Sequence, residues 1–141
     1  MVLCQADPLN DVIARLEIAR VNVVNIGKAL SGKLKEMKST RFLNIESQEF
    51  LYGTIGKQSK EIVKDNPPVV AIYNLGILFE PMLSLNAETI LKDLSKHTAL
   101  IILWEHQFSP PAILHWGMQQ DQYNINLSDI NLTKVNLQHE I

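Results

Sequence analysis

The sequence predicts an α/β protein of three layers, a mostly parallel sheet covered by helices on both faces. Apolar, β-branched runs alternate along the chain with segments of helical periodicity. Two of those runs, Val69-Val70-Ala71-Ile72-Tyr73 and Thr98 to Trp104 (TALIILW), are apolar throughout, as strands buried on both faces are. A third run, Val21 to Ile26, leads into a glycine-containing stretch, and ligand-binding loops of that kind sit at the carboxyl ends of parallel strands.

Each element has a local reason. Asp7-Pro8 places an N-cap acceptor before a proline at the first helical position. Leu9, Val12, Ile13 and Leu16 extend that start into an amphipathic helix over residues 8–20. After the strand at 21–26, Ser31 to Lys38 forms a short helix with a thin apolar stripe of Leu30, Leu34 and Met37. Arg41 to Ile45 reads as a second strand. Residues 46–64 read as a broken helix or a helix–turn–helix, because Gly53 and Gly56 each cost roughly 1 kcal/mol against alanine in a helix interior. Ile62 and Val63 then close onto the core, and Asn66-Pro67-Pro68 stops the segment. Leu75 to Met82 is an apolar connector interrupted at Pro81, and Asn86 caps a helix running towards Lys96 with Ile90, Leu91 and Leu94 inward. Gln107 to Pro111 is a loop, Ile113 to Trp116 and Ile125 to Leu127 are short strands, and a last strand falls within Ile130 to Leu137.

Composition bounds the functional classes. The 141 residues suit a single domain, 1–141, and the 46% apolar and 20% charged shares are those of an ordinary globular chain. A lone Cys4 excludes a disulfide-framed fold. No run approaches the ~18 apolar residues of a membrane span, and no targeting pattern opens the chain, so the expectation is a cytoplasmic protein without membrane contact. Charge is unevenly spread. Residues 14–64 carry ten Lys/Arg against five acids, while residues 65–141 carry three against eight. Such a basic segment suits nucleic acid or phosphates, but lysines at helical spacing also form an ordinary solvated face. No aromatic residues interleave them as a single-strand-binding platform requires.

One motif carries chemistry. Gly27-Lys28-Ala29-Leu30-Ser31-Gly32-Lys33-Leu34 follows the phosphate-binding pattern G-x-x-x-x-G-K-[ST] except at its last position. Glycines there let backbone N–H groups curl around phosphate oxygens, the lysine adds a point charge, and the hydroxyl ligates Mg²⁺. Gly27, Ser31, Gly32 and Lys33 are therefore the candidate phosphate-binding residues of a P-loop NTPase-like sheet. Leu34 cannot bind a metal. The partner strand, Val69 to Ile72, ends in Tyr73-Asn74 where an aspartate is expected, so the second metal position is also lost. Glu105, after the strand at 98–104, is the one acid near a strand end able to substitute. His97, His106, His115 and His139 lack metal-ligand spacing, and no nucleophile motif is present. Trp104, Trp116, Phe79 and Phe108 are expected to close the core at the end of the sheet.

Taken together, the loop GKALSGKL, the strand RFLNI and the segment VVAIYNLGILFEP resemble the small P-loop protein of bacteriophage-exclusion (BREX) systems, the BrxF type. LSLNAETILKDLSKHTALIILW is similar to that family's next helix, turn and strand, and ILHWGMQQDQYNINLSDINL to its closing hairpin and strand. The resemblance spans residues 9–137 and implies an AAA/RecA-like fold and ATP binding within a multi-protein antiphage system. Gly27, Gly32, Lys33 and Asn74 match, whereas Leu34 and Tyr73 depart at the metal positions. The expectation is a degenerate Walker A site in a pseudo-ATPase, a noncatalytic subunit that acts by assembly with other subunits of a defence complex or with its own copies. It is not expected to be an enzyme or to hold a metal; ATP or another phosphate could still bind without hydrolysis. The alternatives are a nucleotide-binding switch or weak ATPase, and a DNA-binding accessory that uses residues 14–64.

Overall fold

A computed structural model describes residues 1–5, 8–106, 108–109, 113–116, 124–130 and 133–136. Its main sheet has five parallel strands in the order β2-β3-β4-β1-β8: β1 is Val2–Gln5, β2 Val23–Asn25, β3 Val69–Tyr73, β4 Ala99–Trp104 and β8 Thr133–Asn136. Three short strands, β5 (Phe108–Ser109), β6 (Ile113–His115) and β7 (Asn124–Asn126), form a separate antiparallel sheet.

Alternation along the strands sorts side chains onto the two faces of the main sheet. Leu3, Val24, Val70, Ile72, Leu100, Ile102 and Trp104 point to one face, where they meet α2 (Ile26–Glu36), α3 (Leu43–Gln58) and α4 (Ala87–Ser95). Cys4, Val23, Tyr73, Ile101 and Leu103 point to the other, which is packed by α1 (Leu9–Ile18) through Leu9, Val12, Ile13 and Leu16. The three-layer expectation is met. The winding follows from it: β1 connects leftward to β2 through α1 on one face, and the chain returns rightward from β2 to β4 through α2, α3 and α4 on the other. Reversing direction and face together keeps every parallel crossover the same hand.

The small sheet caps this larger face. Leu114, Ile125 and Leu127 are fully buried in the same core as α4. Glu88 on α4 accepts a hydrogen bond from the Asn126 N–H at 2.7 Å, and Lys92 reaches Asp129 at 2.8 Å. The Lys92 hydrogen bond holds the Asp129 carboxyl below its ordinary pKa. On α3, Tyr52 has its hydroxyl pushed up in pKa by burial and then by the neighbouring Asp93.

Several expectations are corrected. Met1 to Gln5, given no element from the sequence, supplies an internal strand. Arg41 to Ile45 is not a strand, because Leu43 already begins α3. A helical course from there brings Ser47, Leu51 and Ile55 onto one buried face and lets Asn44 donate to the Leu83 and Ser84 carbonyls at 2.9 and 2.8 Å. The same helix is unbroken through Gly53 and Gly56, which lie on its exposed side. Ile62 and Val63 do not close onto the core; they are 40% and 57% exposed. The first helix ends at Ile18, and Arg20 turns out of it at φ 66°. The apolar connector winds into two 3₁₀ turns, Leu75–Phe79 and Pro81–Leu83. Asp7, Gln107, Pro110, Pro111, Leu132 and Leu137 lie outside the described residues, as does the side chain of Phe108. Trp104 closes the core as expected, 2% exposed and edge-on to Trp116 at 5.7 Å.

Helix α3 offers two checks on this packing. A Cβ at Gly53 or Gly56 would meet nothing within 4 Å, so Gly53→Ala and Gly56→Ala should each stabilise by about 0.5–1 kcal/mol in denaturant unfolding. Ser47 is fully buried with its Oγ unpartnered, so Ser47→Ala should raise stability by about 1 kcal/mol rather than lower it. Destabilisation in either case would mean that α3 does not pack as described.

Candidate functional site

Two asparagines and a glycine join the carboxyl ends of β2 and β3. Asn25 ends β2 and caps α2, its Oδ1 accepting the Lys28 N–H at 3.0 Å. Asn74 follows β3 in the left-handed conformation at φ 58°, which Asn tolerates better than most side chains. That turn aims the Asn74 carbonyl at the Gly27 N–H, 3.0 Å away, and its Nδ2 at Asn25 Oδ1, 2.8 Å away. Gly27 leaves room for this side chain, since a Cβ there would overlap the Asn74 amide and push it aside.

This arrangement overturns the expected loop. Helix α2 begins at Ile26, so GKALSGKL lies wholly within a helix and no phosphate cradle is formed. The early amides that would curl around an anion are already used, Gly27's by Asn74 and Lys28's by Asn25. At 1.5 Å rise per residue, Lys33 stands about 9 Å along the axis from Gly27. Ser31 is half-buried in mid-helix, while Gly32 and Lys33 face a groove beside β2. A cap at Asn25, in the strand itself, explains the early start: once Asn25 accepts the Lys28 amide, the helix needs no loop to satisfy it.

The two lost metal positions also acquire other roles. Leu34 packs into the core under α2, whereas Tyr73 packs into the core under α1, on the opposite face of the sheet. Residues separated by a sheet cannot serve one ion. Of the expected site, Gly27 and Asn74 are brought together; Lys33 and Leu34 are not brought to them, nor is Tyr73's side chain.

Topology points to a different crevice. In doubly wound sheets, ligands bind where the winding reverses, outside the carboxyl ends of the strands. Here that place lies between β1 and β4, where Gln5 is in register with Trp104. Glu105 emerges there, exposed, and His106 stacks edge-on against Trp104 and Trp116 at 5.5 and 4.3 Å. Gly76 lets the Trp116 ring approach the first 3₁₀ turn, where a Cβ would overlap it. Sequence reasoning missed this crevice because it missed β1; the apolar Val2-Leu3-Cys4 before Asp7-Pro8 was the available signal. Among the described residues, no group of three or more His, Cys, Asp or Glu side chains is placed to hold a metal ion.

The clamp predicts a specific coupling. Gly27→Ala should cost about 1 kcal/mol, by displacing the Asn74 amide from Asn25. Asn74→Gly keeps the left-handed turn and removes the amide, so Gly27→Ala should cost distinctly less in that background. Equal costs in both backgrounds, measured by urea unfolding, would break the assignment.

The comparisons with known proteins add no family to this geometry: no family model, curated protein or solved structure matches the chain.

Proposed function

We propose that this chain is a noncatalytic, P-loop-NTPase-like subunit that works by assembly within a bacterial antiphage defence complex. The observation that carries the noncatalytic half is the helical course of GKALSGKL, whose early amides are consumed by Asn25 and Asn74. A strand–turn–helix that spends these groups on its own fold has a structural role. The parallel sheet with its first strand internal is compatible with a P-loop-like architecture. The partner class rests on the resemblance of VVAIYNLGILFEP and its neighbours to the BREX protein.

Nucleotide binding separates this reading from a switch or ATPase. A site of Kd 10 μM would add about 2.7 kcal/mol at 1 mM ligand, which any thermal melt detects. We expect ATP–Mg²⁺ at that concentration to leave the melting temperature unchanged, and Lys33→Ala to melt as the parent does with or without ATP. A rise of several degrees that Lys33→Ala abolishes would overturn the noncatalytic reading. Assembly is read by the solution mass of the purified chain with the other subunits of its system; a strict monomer throughout would overturn that half.

A further inference from the structure

We propose that the open edge of β2 is a docking site for an extended, acidic segment of a partner protein, added as a sixth strand to the sheet. The inference deepens the assembly reading by naming the surface and the chemistry of what binds it, and it rests on that reading.

Strand β2 is the end strand of the five-stranded sheet, and among the described residues nothing pairs with its outer side. The Ala71 N–H donates to the Asn22 carbonyl, and Val23 is in register with Ala71. In a parallel ladder that register turns the polar groups of Asn22 and Val24 towards β3 and those of Val23 outward. Parallel strands are normally buried, and an end strand is normally blunted by a cover, a charge, a kink or shortness. β2 is short, but its three residues, Val23, Val24 and Asn25, carry neither charge nor proline, and the backbone groups of Val23 are left facing outward.

Two cavities run along this edge and share Val23 and Gln58. The larger, about 560 Å³, lies between β2, α2 and α3, with Val24, Ala29 and Phe50 supplying apolar wall. The smaller, about 380 Å³, continues past the start of β2. Lys28 and Lys33 flank the first and Arg20 and Lys60 the second, against one carboxylate in each, Glu36 and Glu17. None of these six side chains is in an ion pair among the described residues, whereas Lys92 and Lys96 are. An apolar, hydrogen-bonding slot with unneutralised cations at both ends suits an extended peptide that alternates apolar and acidic residues. Strand addition supplies affinity from main-chain bonds and specificity from alternate side chains. A second copy suits it poorly. Two-fold pairing across β2 is antiparallel and would set Arg20 and Lys60 of one chain against Lys28 and Lys33 of the other.

The test uses the full chain and two blocked heptapeptides, one alternating Val and Glu, the other Val and Lys, titrated calorimetrically at low salt. The Glu peptide should bind at least tenfold more tightly than the Lys peptide, weaken with salt, and slow hydrogen exchange at the Val23 amide. Lys28→Glu with Lys33→Glu, both away from the core, should weaken it at least tenfold. Val23→Pro, which removes the outward N–H, should do likewise while the protein keeps the parent's cooperative thermal melt. Equal affinity for the two peptides, no binding of either, indifference to the charge reversal, or tighter binding of a DNA duplex would each overturn the proposal. So would a homodimer that Val23→Pro dissociates. A monomeric protein that binds the Glu peptide keeps this site while removing the assembly reading. An assembly that survives all three substitutions removes the site and leaves that reading standing.

Discussion

The hydrogen-bonded clamp of Asn74 on Gly27 and Asn25 sets what this region of the molecule can do. It ties the end of β3 to the end of β2, and it starts α2 with no intervening loop. Each part constrains another. Asn74 reaches both partners only from the left-handed conformation, Gly27 admits it only by lacking a Cβ, and Asn25 completes the set by capping the helix that Gly27 enters. Each of these hydrogen bonds is worth about 1 kcal/mol at most, since Asn74 is exposed and water can replace a lost partner; what the three share is geometry, each bond fixing the position the next one needs.

Its position in the sheet decides the rest. Because β2 is the end strand, the helix it launches stands beside an open edge rather than over the crevice where the winding reverses. The crevice between β1 and β4 instead receives Glu105 and the stacked rings of Trp104, His106 and Trp116. The glycine–lysine motif and the topological ligand site are therefore on different strands, and one cannot stand in for the other.

What could be read in advance follows the range of the interactions involved. β3, β4 and α4 were legible because their signals are local: continuous β-branched runs, and an Asn86 cap that accepts the Thr89 amide as anticipated. β1 was not, since four residues at a chain start have too little pattern until β4 and β8 pair on either side. Arg41 to Ile45 misled for a related reason. Five residues cover little more than one helical turn, too few to separate the two periods, and in the fold Asn44 donates to the distant Leu83 and Ser84 carbonyls from within α3. Gly53 and Gly56 look like breaks in isolation, but a glycine weakens a helix without stopping it when Leu51 and Ile55 are buried on the other side.

The motif shows most clearly what packing adds to a local pattern. From sequence, Leu34 and Tyr73 are two departures at positions serving one ion, which suggests a single lost activity. In the fold, they belong to cores on opposite faces of the sheet. Leu34 is apolar because α2 turns that position, one turn beyond the fully buried Leu30, towards the sheet. Tyr73 is bulky because β3 turns it towards α1. Packing accounts for the residue type at both positions. A hydroxyl at residue 34 would face Leu30's environment, not a phosphate, so restoring the consensus letter would weaken the core without rebuilding a site.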